Sequence, residues 1–234
     1  NPNYKLNIYN GKYCENYLQK YFTKDIYLAY KKINAYAFKC DLFRYCVLYN
    51  EGGIYSDIRS VCLVDFEKVM PSDLKWFTSK DITWYPPENI HHLIKGKKKK
   101  VEAMQNTFIM STKFHPYLKE VIKNCVNNIR NENYGIHPLS ITSPIAFYNS
   151  IKTVNYRHYP RKYYFGNFDP VKNKIFFQNK ALIRWKYKKL DAAYNKDIIG
   201  GNNYNKIYHS NKMFDTDLKI PFVEIDDNWP LKNN

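Results

Sequence analysis

Residues 35–49, AYAFKCDLFRYCVLY, set Leu42, Phe43, Cys46 and Val47 at helical spacing, and Gly52-Gly53 supplies the stop, so the pattern predicts a helix that ends there. Two shorter helices are expected before it, at 14–22 and 24–33. The apolar run of 52–58, GGIYSDI, follows a glycine turn and reads as a buried strand. Further strands are expected at 75–78 and 106–111, and a helix starts at His115-Pro116 and continues to about Arg130. SITSPIAFYNSI (140–151) reads as a loop entering a helix, and YYF, KIFF and ALIRW as short strands beyond it. Helices alternating with short apolar strands, without repeats or a clear linker, predict a single α/β domain over 1–234.

Within the strand of 52–59, side chains alternate between faces, which places Tyr55, Asp57 and Arg59 on one face and Ile54 and Ile58 on the other, toward the core. At the carboxyl end of a strand in an open α/β sheet, such a face borders the ligand crevice. Asp57 is a hard oxygen donor for a divalent cation or a sugar hydroxyl, Arg59 a planar phosphate partner, and Tyr55 a ring that stacks and hydrogen-bonds. An isolated Y-x-D-x-R also fits a surface ion pair. Asp41 and Arg44, three apart, share one side of the preceding helix.

The longer stretch CDLFRYCVLYNEGGIYSDI resembles the signature of the family 32 glycosyltransferases, S/A-D-L-x-R-Y-x-x-L-Y followed by G-G-I-Y-x-D-x-D. That family is related to initiating mannosyltransferases and clostridial glucosylating toxins. Asp41, Leu42, Arg44, Tyr45, Leu48, Tyr49, Gly52, Gly53, Ile54, Tyr55 and Asp57 stand at matching spacing. NTFIMSTKFHPYL (106–118) is similar to the family's N-x-F-M-x-S-x-x-x-H-P-x-L, TSP at 142–144 to its T-G-P, and NPNYKLNIYN to its N-P-x-Y-x-x-x-x-Y. The resemblance implies a GT-A fold: a Rossmann-like, mixed sheet flanked by helices that binds a nucleotide-sugar. It implies a retaining hexosyl transfer from a UDP- or GDP-sugar to a hydroxyl of a glycan or protein. Asp41 and Arg44 match positions that hold the donor sugar, and Tyr55 and Asp57 match positions beside the ribose and diphosphate. Asn106 matches a position near the sugar. Residues 1–150 would form the donor-binding core and 151–234 a variable acceptor or lid part.

Two departures shape the expectation. Arg59 stands where the family's second Asp would ligate Mn2+ or Mg2+, leaving Asp57 as the metal candidate. Either Arg59 takes over part of the cation's work on the diphosphate, or the site is degraded and the protein is a non-catalytic glycan- or nucleotide-binding subunit. The family's I-H-Q-T/I-W strand precedes the N-P-x-Y segment with which this sequence opens, so a missing segment or a differently built base pocket is expected.

Charge adds little selection. The sequence holds 37 Lys+Arg against 21 Asp+Glu, net +16, which favours anionic partners in general, yet no nucleic-acid module is recognisable. KGKKKK (95–100) reads as a solvated loop or a phosphate clamp, and His91-His92 as a plain loop or a metal or acid–base pair. Near the end, Glu224, Asp226, Asp227 and Trp229 cluster, with Trp229 either a lid over the donor or a packing residue. Five cysteines without C-x-x-C spacing suggest neither a disulfide framework nor a zinc site, and a reducing compartment. The longest uncharged span, 133–151, carries two prolines and a glycine and is unsuited to crossing a bilayer. The chain is expected to be soluble as given, with a removed N-terminal anchor left open.

Overall fold

The computed structural model describes residues 1–81, 101–154, 163–185, 202–223, 225–226 and 228–232. The readings of His91-His92, the 95–100 lysine run, Glu224 and Asp227 fall outside these residues.

Three helices open the fold: α1 (Gly11–Tyr21), α2 (Lys24–Lys32) and α3 (Tyr36–Glu51). Asn10 caps α1 by accepting from the Tyr13 N–H. Gly52 ends α3 at φ 68°, with its N–H on the Leu48 carbonyl. A Cβ at Gly52 would also stand 2.9 Å from the Lys113 nitrogen, so both backbone conformation and space require glycine there. The chain then enters β1 (Gly53–Ser56), followed by β2 (Val61–Cys62), α4 (Phe66–Val69), β3 (Trp76–Lys80), β4 (Met104–Ser111) and α5 (Pro116–Arg130). After a 3-10 turn at Pro138–Ser140 come α6 (Pro144–Thr153), β5 (Tyr163–Asp169), β6 (Lys174–Phe177), β7 (Lys180–Arg184) and α7 (Tyr204–His209).

The seven strands form one sheet in the order β1-β4-β3-β5-β6-β7-β2. Among the described residues, only β3 and β5 of the paired strands run parallel. The expected α/β class, with a mixed sheet and flanking helices, is therefore what the chain adopts. Alternation along the strands divides the core. Trp76, Ile109 and Tyr55 join the helices α1, α2, α3, α5 and α6, whereas Phe77, Phe108, Met110 and Ile54 join Phe66 of α4 and the β6–β7 side chains.

Three expectations around β1 are corrected. The strand is an edge strand with Gly53 and Ser56 exposed, not a buried one. It stops at Ser56, and a turn closed by the Ser60 N–H on the Asp57 carbonyl carries the chain away. Arg59 thus leaves the strand's alternation, and Ile58 is 68% exposed rather than a core anchor. The cause is chain direction: once pairing with β4 ends, period-two alternation no longer binds the next residues.

The C-terminal segment returns across the helices. The Lys32 ammonium, fully buried, donates to Glu132 at 2.8 Å and to the Asp215 and Leu218 carbonyls at 2.7 and 2.8 Å. Trp229 is 2% exposed, and its indole N–H donates to Asp25 at 3.3 Å, with Arg130 3.5 Å from the same carboxylate. Of the two readings left open for Trp229, lid or packing residue, the structure supports packing. No helix among the described residues is long and apolar enough to cross a membrane.

His115 caps α5 by accepting from the Tyr117 N–H and stacks on Trp76 at 4.7 Å. Burial lowers its pKa from 6.5 to about 3. Below pH ~6.5 the unfolded chain takes up a proton that the folded chain refuses, so this contribution to stability is complete above that pH and is lost as pH falls toward 3. Urea melts at pH 7, 6 and 5 should show a slope of about 1.4 kcal/mol per pH unit in the acidic range that His115→Asn, a cap that does not titrate, lacks. Equal slopes in the two proteins would refute it.

Candidate functional site

Asp41, Arg44 and Tyr45 come from α3, where a spacing of three to four residues gives them one face. Tyr55 and Asp57 come from β1 and its end, Asn106 from β4, and Thr142 and Ser143 from the approach to α6. Arg44 is the hub. Its Nη2 lies 2.9 Å from Asp41 Oδ1, its Nη1 lies 3.3 Å from Asp57 Oδ1 and donates to the Asn106 carbonyl, and its guanidinium covers the Tyr55 ring at 4.6 Å. The Tyr55 hydroxyl donates to Asp57 at 3.0 Å.

Asp41 is saturated. Its Oδ1 also accepts from Asn106 Nδ2 at 3.0 Å, and its Oδ2 accepts from the hydroxyls of Thr142, at 3.2 Å, and Ser143. Burial pushes the Asp41 pKa up, and Arg44, Ser143 and Thr142 pull against it. With four donors converging on two oxygens, the ionised carboxylate is the form this arrangement is built for. Burial also works against the Arg44 charge, but Tyr55, Asp57 and Asp41 outweigh it and move its pKa up.

The structure therefore brings together Asp41, Arg44, Tyr55, Asp57 and Asn106. Arg59 lies in the turn after β1. Asn106 arrives by a route the sequence conceals. Phe108 and Met110 face the α4 side, so unbroken alternation would send Asn106 there too. The β3–β4 register instead jumps from Phe77↔Met110 to Ser79↔Gln105, a bulge that turns Asn106 toward α3. Sequence reasoning missed Tyr45, Thr142 and Ser143 as members of the network. TSP at 142–144 was the available signal, but its contact with residue 41 spans about a hundred residues.

Among the described residues no group of three or more His, Cys, Asp or Glu side chains is placed to hold a metal. Asp57 keeps 26% of its side chain exposed, whereas Asp41 is buried. A single exposed carboxylate suits a cation that takes its other oxygens from phosphates and water. The residues fit Mg2+ or Mn2+ in that shared manner, and not as a cage made by protein alone.

Comparison with known proteins agrees with the motif. The family model described as "Glycosyltransferase sugar-binding region containing DXD motif" matches residues 1–76, a span that holds α1–α4, β1 and β2 and so Asp41, Arg44, Tyr55, Asp57 and Arg59. The initiation-specific alpha-1,6-mannosyltransferase of Candida albicans is 27% identical over 137 residues, covering 52% of this chain. The chain spans 33% of that protein's length, about a third of the curated relative it matches. The solved structure of PaToxG Glycosyltransferase aligns with a TM-score of 0.41 at 22% identity, covering 62% of this chain and 44% of that one. Over residues 1–76 the chain is thus similar to the glycosyltransferase region described as containing the DXD motif, with Arg59 standing at the second acidic position.

Proposed function

We propose that the chain is a retaining glycosyltransferase that binds a nucleoside-diphosphate sugar at the end of β1 and passes its sugar to a hydroxyl of a glycan or protein. The observation that carries this reading is the convergence of Asp41, Arg44, Asn106, Tyr55 and Asp57 on one buried arginine. Residues 1–150 then hold the donor, and 151–234 shape the acceptor side.

The roles follow from charge and exposure. Asp41, Arg44 and Asn106 form a rigid polar floor for the sugar, fixed before any donor arrives. Tyr55 and Asp57, nearer solvent, take the ribose and diphosphate. As the glycosidic bond to the diphosphate breaks, negative charge collects on the leaving oxygen, and a cation beside it lowers the barrier. Arg59 supplies a guanidinium for that charge. A divalent cation held between Asp57 and the diphosphate would supply Lewis-acid stabilisation when bound.

A second reading, a non-catalytic binding subunit, draws on two observations: the Asp41 oxygens are already satisfied within the protein, and the second acidic position is Arg59. A panel of UDP- and GDP-sugars with Mn2+ or with EDTA, read by thermal shift and by donor hydrolysis, separates the two. A donor at 100 times its Kd stabilises by about 2.7 kcal/mol, roughly 5–10 °C for a domain of this size. The enzyme reading expects a shift with one donor and slow release of its sugar. A shift without hydrolysis, with any acceptor, or no shift with any donor, refutes the enzyme reading and moves the conclusion to the binding subunit.

A further inference from the structure

Tyr45 is fully buried in α3 and lies at the junction of three elements. Its hydroxyl donates to the Thr142 carbonyl at 2.9 Å and accepts from Asn106 Nδ2 at 2.9 Å, while its ring stacks on Phe147 at 5.2 Å. The directions of these bonds are forced. A carbonyl can only accept, so the single Tyr45 proton is spent on Thr142 and its oxygen must receive a proton from Asn106. At the other end the Asp41 carboxylate also accepts, so the second Asn106 Nδ2 proton is spent there. The relay runs Asp41 from Asn106 to Tyr45 to Thr142, and both hydrogens of the amide nitrogen are used.

This leaves the Asn106 amide oxygen. Among the described residues no donor reaches it, and Asn106 keeps 4% of its surface exposed. The Asn106 main chain is held as well, its carbonyl accepting from Arg44 Nη1. We propose that Tyr45 is a positioning residue that locks the Asn106 side chain with its amide oxygen held available, so that the site reads a hydroxyl, a hydrogen-bond donor, on the transferred sugar. Without the Tyr45 hydroxyl, the amide loses one of the two bonds that fix its orientation. An amide turned over would offer N–H groups where the sugar offers O–H, and two donors do not pair. Burial keeps the Tyr45 hydroxyl protonated by raising its pKa, which preserves the direction of the relay.

The inference rests on the proposed glycosyl transfer, so the test has one arm that does not need turnover. Donor hydrolysis is followed for wild type, Tyr45→Phe, Asn106→Ala and the double variant, using the UDP- or GDP-sugar that binds wild type. Hydrolysis by Tyr45→Phe should fall about tenfold in kcat/KM, the scale of one lost buried hydrogen bond. Asn106→Ala should fall further, and the double variant no further than Asn106→Ala alone. Losses that multiply in the double variant, or wild-type activity in Tyr45→Phe, overturn the proposal. The second arm follows the Asn106 side-chain amide by NMR. Slow proton exchange in wild type and fast exchange in a folded Tyr45→Phe supports the lock, whereas equal exchange refutes it. If wild type turns over no donor, the functional reading fails and the amide arm alone decides the positioning.

Discussion

Asp41→Ala is expected to destabilise the chain by about 3–5 kcal/mol, the cost of removing one member of a buried ion pair. For a chain of this length that is a drop of roughly 6–20 °C in Tm. Four donors lose their acceptor at once: Arg44 Nη2, Asn106 Nδ2 and the hydroxyls of Thr142 and Ser143. Arg44 keeps Asp57 and the Asn106 carbonyl, which is why the fold should survive. Asp41→Asn provides the control. Its amide oxygen can face Arg44 and Asn106, while the two hydroxyls rotate to accept from its nitrogen, so hydrogen bonding is largely kept while the charge is lost. Asn should therefore cost clearly less stability than Ala in urea melts, and both should lose donor turnover. An Ala variant within 1 kcal/mol of wild type would mean that the network is not the structural keystone its geometry describes.

The network also shows where sequence patterns carry to three dimensions and where they stop. Helix α3, its glycine stop and the cap at His115 follow from rules acting within a few residues, and all appear where the pattern sets them. Asp41 and Arg44 meet because i and i+3 share a helix face, again a local fact. Asn106 joins them only because β4 bulges against β3, a feature of strand register that alternation cannot encode. Thr142 and Ser143 are tied to Asp41 through packing of α6 and α5 against α3, across most of the sequence between them. Ile58 reads as a core position because an apolar residue extends the strand pattern, but the turn after Ser56 sends it to solvent. For Trp229 the sequence leaves lid and packing both open, for a similar reason. Its place beside Asp25 depends on how the C-terminal segment crosses α2, with the buried Lys32 fastening that segment nearby.

Arg59→Ala is expected to lower donor turnover by about 10²–10³-fold, the range seen when one group that stabilises developing charge is removed. The turn 57–60 sets Arg59 two residues beyond Asp57, at the end of β1 where the diphosphate is proposed to lie. A leaving diphosphate needs compensating positive charge, and Asp57 alone makes a thin metal site. If Arg59 carries that work, wild-type turnover should persist in EDTA to a large degree. Arg59→Asp then provides the converse experiment, because it restores the acidic pair D-x-D. That variant should be inactive in EDTA and recover part of its turnover with Mn2+, as two carboxylates and the diphosphate complete the coordination. Arg59→Ala with undiminished turnover would remove Arg59 from the chemistry. Arg59→Asp that stays inactive at every Mn2+ concentration, beside an active wild type, would show that the rest of the site has diverged from metal use and that the guanidinium is not merely a replacement.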